Sequence, residues 1–411
     1  MRHSHAAPDT DTLMPLRHET TQMIHGGQAA GPASRTPAPS IQRGSTVLLA
    51  DSKQFSAATT PTYGRGGLAT QDALRTALCV LEHAEDVQLY PSGLAALTGA
   101  IQALTGAGDE VLAVDTIYNP TRRFLVGTMA RFGVTTRYFP PTASADEIAS
   151  MITPATRLIV LESPGSLTLD MQDVPSIAAM ARAHGVMTLI DNTYAAGVLF
   201  KPLDHHVDVS VQSLTKYVCG HSDVFMGMAA ARGPAAAALA TSAHEIGWAV
   251  SPDDAYLALR GLRTLHARLA LHGAAMLTVA AWLAQQPEVI DLLCPALPGD
   301  PGHALWSRDF SGACGLLSFT LDGDGRAVDA LLDTLELFGL GYSWGGFESL
   351  VIPCDAQLAK RAHMVRRSGP MLRLHVGLEH PQDLIADLRR GLDAFAATAS
   401  LSEQKQEMTA A

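Results

Sequence analysis

Short, nearly continuous apolar runs recur through the middle of the chain, and stretches with helical spacing separate them. The runs are EVLAVD (110–115), TTRYF (135–139), RLIVLES (157–163), VMTLIDNT (186–193), DVSVQSL (208–214) and MGMAAAR (226–232). Amphipathic segments lie between several of them, at 92–106, 120–132 and 173–184. A strand that is apolar on both faces is buried on both, so the pattern predicts an α/β fold with a large, mostly parallel sheet covered by helices on each side. From residue 254 the rhythm changes. A long helical stretch, DDAYLALRGLRTLHARLALHGAAMLTVAAWLAQQ, leads to GLLSFTL (315–321), a helix across 326–338, SLVIP (349–353) and MLRLHVG (371–377). This second rhythm predicts a smaller C-terminal α+β domain. Residues 1–62 are rich in Pro, Gly, Ser and Thr; their start is expected to be disordered and the rest an extended arm. The expected divisions are an N-terminal arm over 1–67, a large domain over 68–260 and a small domain over 261–411.

With 411 residues the chain is too long for one hydrophobic core, which agrees with two domains. A formal net charge of -11 with no block of Lys and Arg argues against nucleic acid or an anionic membrane as partner. The five cysteines are scattered and form no CxxC pair, so neither a zinc site nor a disulfide framework is expected. His205 and His206 are adjacent, a spacing that suits no metal. No signal-like or membrane-length apolar run is present, and the cytoplasm is the expected location.

Ligands of open α/β sheets bind beyond the carboxyl ends of the strands. Asp191 closes one predicted strand and Lys216 follows another, while Glu162 and Ser163 close a third. A nearly buried lysine is a ready nucleophile, because desolvation frees its amine. A nearly buried aspartate needs a cationic partner. In YPSGLAALTGAIQAL (90–104), Ser92 and Gly93 stand at the start of an apolar helix, where free N–H groups favour an anion. Ser213 and Thr215 flank the lysine with hydroxyls. Pyridoxal phosphate (PLP) satisfies all of these, through its aldehyde, its protonated ring nitrogen and its phosphate. Each residue has a plainer reading taken singly: a solvated loop lysine, a turn-forming aspartate, a simple N-cap. A dinucleotide-binding sheet is the other enzyme reading, but no GxGxxG follows a first strand. A PLP-binding regulator would need a DNA-binding module, and the N-terminal arm is short of helix signals.

At SLTKYVCGHSDV the chain resembles the Cys/Met-metabolism group of PLP enzymes, of fold type I, and most nearly the bacterial cystathionine β-lyases within it. The likeness runs from about Arg43 to Leu392 through TYGRGG, YPSGLAAL, GDEVLAVDTIYNPT, LESPGSLTLDMQDVP, LIDNTYAAGVLFKPLDHHVDVSVQSLTKYVCGHSD, RGLRTLHARL, YSWGGFESL and LRLHVGLEH. The resemblance implies that Lys216 binds PLP and serves as catalytic amine. It implies that Asp191 pairs with the ring nitrogen and that Tyr118 stacks on the ring and assists proton transfer. Gly93, Leu94, Ser213 and Thr215 are then phosphate ligands. Tyr63 and Arg65 are expected to reach the phosphate of a neighbouring subunit, in a homotetramer built from active dimers. Arg373 is the expected clamp on the substrate carboxylate, supported by Ser343. RGLRTLHARL reads as a structural helix whose Arg260, Arg263 and Arg268 lie on a solvated face.

The implied reaction is carbon–sulfur β-elimination on a small sulfur amino acid, cystathionine giving homocysteine, pyruvate and ammonia. ESPGS stands where γ-acting members tend to carry ESPxNP, and Tyr342 and Trp344 stand where they tend to have smaller residues. Two aromatics narrow the substrate cleft. The γ-lyases and cysteine or cystine desulfhydrases of the same family are the alternatives. The chain also departs from the pattern: Gly66 replaces an arginine common in the family, and Leu94 replaces a methionine, an exchange that conserves volume.

Overall fold

The computed structural model describes residues 18–25, 36–56, 62–363 and 368–410. Its larger sheet has seven strands: β1 (Asp86–Tyr90), β2 (Glu110–Val114), β3 (Thr135–Phe139), β4 (Thr156–Glu162), β5 (Met187–Asp191), β6 (Val209–Ser213) and β7 (Gly227–Ala231). Their spatial order is β1-β7-β6-β5-β4-β2-β3. Neighbours pair in parallel except at β7, which runs antiparallel to both β1 and β6. Every residue of β2 and β7 is buried, which explains their unbroken apolar runs.

The strand β1 has no counterpart among the sequence-predicted runs. DVQLY alternates in burial, and it is short enough to be hidden between two helices in a periodicity reading. Those helices are Ala69–Glu82 and Gly93–Leu104. The second packs across β6 and β7. Its N-cap is Ser92, whose Oγ accepts from Ala95 N at 3.1 Å.

The smaller sheet contains β8 (Val289–Leu293), β9 (Leu316–Leu321), β10 (Gly339–Leu340), β11 (Leu350–Pro353) and β12 (Met371–His375), in the order β10-β11-β12-β9-β8. The central strand β12 is antiparallel to both neighbours, so Arg373 stands opposite Ser318 and Ile352. The long helical stretch divides into Pro252–Leu262 and Leu265–Leu283. Leu265 and Leu269 pack into the core of the large sheet, whereas Met276, Val279 and Leu283 pack into that of the small one. One helix therefore belongs to both cores.

Two expectations need correction. The arm is not extended throughout, because Glu19–His25 forms a helix that buries Met23 in the large core. Glu19 pairs with Lys201 there. The start of the arm, expected to be disordered, falls largely outside the described residues, which omit 1–17 and 26–35. Arg268 is also not on a solvated face. It is buried, with Nη2 donating to Val218 O at 3.2 Å and to Gly261 O at 2.8 Å. The carbonyls of the turn after β6 need donors, and helical spacing alone does not show which neighbour supplies them.

Candidate active site

The carboxyl ends of β4, β5 and β6 meet at one rim, where Glu162 pairs in register with Asp191 and Asp191 with Val211. Beyond that rim lies a cavity of about 330 Å³. Its lining includes Gly93, Leu94, Tyr118, Asp191, Ser213, Thr215, Lys216, Tyr342, Ser343, Trp344 and Arg373. The structure thus brings together sequence-predicted residues from both sheets.

Lys216 sits in the turn that follows β6. Its Nζ donates to Ser343 Oγ at 2.7 Å and lies 5.4 Å from the centre of the Trp344 ring. Burial, aided by the nearby positive charge of Arg373, brings the amine down to about 8, against an opposing pull from Asp191. The turn beneath it is tightly constrained. Gly220 has φ 71°, and a Cβ there would stand 2.0 Å from Arg268 Nη1. Arg268 is a supporting residue that motif reading missed.

Asp191 receives both the N–H of Thr193, at 3.0 Å, and its hydroxyl, each on Oδ1. Burial nevertheless raises its carboxyl above the usual range, with the Thr193 bonds and Lys216 opposing. Glu162 is raised further, first by burial and then by the charge of Asp191. Its Oε2 accepts from Tyr118 N at 2.6 Å, which holds the backbone of that tyrosine at the cavity mouth. Thr193 could have been found from the local D-x-T pattern, since such a hydroxyl folds back on the carboxylate two residues earlier.

The helix Gly93–Leu104 points its N-terminus at the same space. First-turn N–H groups have no acceptor within their own helix. Glycine is required at the first position, because a Cβ on Gly93 would fall 2.4 Å from Ser213 Cβ. Thr215 is committed differently from Ser213: its hydroxyl donates to Met226 O at 3.1 Å and accepts from Met226 N at 2.9 Å.

Arg373 is buried on β12, with Nη2 donating to Ser343 O at 2.9 Å. Its Nε is buried without a partner among the described residues, a group left ready for an anion. Ser343 thus serves two neighbours, by its carbonyl and by its hydroxyl. Tyr63 and Arg65 stand apart from this cavity, half-exposed and exposed, with the guanidinium 5.4 Å from the tyrosine ring centre. Gly66 beside them meets nothing within 4 Å of an added Cβ.

The residues fit PLP. One cavity holds an anion-receptive helix start with a glycine where no Cβ fits, a buried carboxylate, a deprotonation-prone amine and an unsatisfied guanidinium.

Comparison with known proteins identifies the family. The family described as Cys/Met metabolism PLP-dependent enzyme matches residues 20–393. The cystathionine beta-lyase of Salmonella typhimurium is 43% identical over 80% of this chain and 85% of its own length. That of Bordetella avium is 38% identical over 95% of this chain and 99% of its own. Among solved structures, metB from Corynebacterium glutamicum superposes with a TM-score of 0.87 at 27% identity, covering 92% of this chain and 98% of that one.

Proposed function

The chain belongs to the Cys/Met metabolism PLP-dependent enzymes, and we propose that it is a carbon–sulfur β-lyase that converts cystathionine to homocysteine, pyruvate and ammonia. The observation that carries this reading is the gathering of Lys216, Asp191 and Arg373 in one cavity walled by Tyr342 and Trp344. The reaction serves methionine synthesis.

Lys216 would hold the cofactor aldehyde and Asp191 its ring nitrogen. Gly93, Leu94, Ser213 and Thr215 would hold its phosphate, Thr215 by releasing its hydroxyl from Met226 O, and Tyr118 would lie against its ring. Pyridoxal phosphate, when bound, supplies the electron sink that lets the α-carbon of an amino acid lose its proton.

Arg373 receives the substrate α-carboxylate, and the free Nε makes a two-point pair possible. Lys216 Nζ, held beside Ser343 Oγ in the same cavity, takes the Cα proton. An amine brought down to about 8 exchanges its proton close to neutral pH, so it can serve in turn as base and acid. The Cβ–S bond breaks with the electron pair going to sulfur, and Lys216 returns a proton to that thiolate. Water converts the three-carbon remainder to pyruvate and ammonia. Tyr118 assists the proton transfers.

Tyr63 and Arg65 reach a neighbouring subunit's phosphate; their exposure outside the cavity supports that role, and with it a homotetramer of active dimers. All five cysteines are free, which supports the cytoplasm. Among the described residues no helix is long and apolar enough to cross a membrane.

Product identity from cystathionine tests the reading. Pyruvate with homocysteine is expected; 2-oxobutyrate with cysteine would move the protein to the γ-lyases. A colourless protein with no pyridoxyl mass on the Lys216 peptide after borohydride treatment would remove the cofactor assignment.

A further inference from the structure

Behind the turn 342–346 lies a buried imidazole that the reaction as described does not use. His375 is completely buried at the end of β12. Residues two apart on a strand share a face, so it stands beside Arg373. Together they hold the turn at two points. Arg373 Nη2 donates to Ser343 O at 2.9 Å, and Gly345 N donates to His375 Nε2 at 3.0 Å.

The backbone between those points is unusual. Ser343 has φ 96° and Gly345 has φ 84°. A non-glycine residue keeps such a conformation only where its surroundings over-determine it. The turn also rests directly on the reacting lysine: a Cβ at Gly345 would fall 2.8 Å from Tyr217 N and 3.0 Å from Lys216 Cα.

Accepting the Gly345 N–H requires an unprotonated Nε2, which places the proton of His375 on Nδ1. His272 lies alongside, with ring centres 5.2 Å apart. Its Nδ1 donates to Val376 O at 2.9 Å, which leaves its Nε2 as an acceptor. His375 Nδ1 and His272 Nε2 are both buried without a partner among the described residues, one a donor and the other an acceptor. A protonated Nε2 would instead meet Gly346 O at 3.2 Å and would oppose the Gly345 N–H. Burial disfavours a charged imidazole here, and His272, Arg373 and Lys216 add to that effect.

We propose that His375 is a positioning residue for the lyase reaction. Its neutral imidazole, by accepting the Gly345 N–H, fixes the Ser343 hydroxyl that receives the Lys216 amine, and so sets where that amine stands when it moves a proton. The inference rests on Lys216 being the reacting base.

Three full-length variants test it. His375→Gln places an amide oxygen near the position of Nε2, His375→Asn is as polar but too short, and His375→Leu fills the space with no acceptor. Misplacement by about 1 Å costs on the order of 10²-fold in rate. Expected is a kcat lower by about 10- to 100-fold in the Asn and Leu variants, with a smaller change in KM and most of the rate restored in Gln. Capture of pyridoxal phosphate by the cofactor-free protein, followed by absorbance without substrate, should rank the variants in the same order. Adding Ser343→Ala should erase most of the difference between Gln and Leu. A buried amide packs worse than leucine, so a purely structural site would favour Leu.

Equal rates in all three variants, or losses that follow Tm alone, would overturn the proposal. Should the Leu variant not fold, Gln against Asn decides. Turnover surviving in Lys216→Ala would remove the underlying reading. Loss of turnover in Lys216→Ala together with wild-type rates in the His375 variants would remove only the role of His375.

Discussion

Lys216 Nζ donates a 2.7 Å hydrogen bond to Ser343 Oγ, joining the turn after β6 of the large sheet to the turn before β11 of the small one. The reacting amine is therefore held by both halves of the molecule. Lys216→Ala is expected to lower kcat for pyruvate release by at least about 10³-fold, within the range for loss of a general base and acid. Pyruvate formation coupled to lactate dehydrogenase measures it. Activity within tenfold of wild type would exclude Lys216 as the base.

The same amine makes stability depend on pH in the cofactor-free protein. Its folded value, about 8, lies below the ordinary 10.5. Below pH 8 the folded state must bury an ammonium, at a cost of roughly 3 kcal/mol. Between 8 and 10.5 the unfolded chain binds the extra proton, so this contribution to stability rises with pH through that window. Lys216→Met should accordingly stabilise the cofactor-free protein most at pH 7 and little near pH 10. Urea unfolding at the two pH values checks it, and an equal gain at both would contradict the assignment.

Arg373→Ala removes the only arginine that lines the cavity among the described residues. Loss of one partner of a buried charge pair costs about 2–5 kcal/mol, so kcat/KM should fall by about 30-fold to a few thousand-fold. The absorbance of bound cofactor should persist. Wild-type rates at low substrate would exclude the carboxylate clamp.

Gly220→Ala introduces a Cβ where Arg268 Nη1 stands and where φ is 71°. Left-handed strain and overpacking together should cost roughly 2–4 kcal/mol. A lower kcat should accompany the lower Tm, since the strained turn carries Lys216. A stable variant with a normal rate would show that the turn yields without moving the lysine.

Much of this molecule is written locally. The buried runs at 110–114, 156–162 and 209–213 are long enough in Val, Ile and Leu to mark strands, and residues that end such runs are placed at a rim by the geometry of any parallel sheet. Asp191, Lys216 and the glycine at position 93 are legible on that basis, because a charge at a strand end and a glycine at a helix start are local facts. The edge strand β1 and the reversal of β7 are not legible, since pairing partners far apart in sequence decide them. Arg268 reads as a surface residue until the carbonyls of Val218 and Gly261 are seen around it. The same holds for His375, whose acceptor role exists only because β12 passes behind the turn that carries Gly345. Apolar periodicity fixes which residues face inward, but the bond between Lys216 and Ser343 spans 127 positions. Only the packing of two separate sheets against each other brings those atoms within reach.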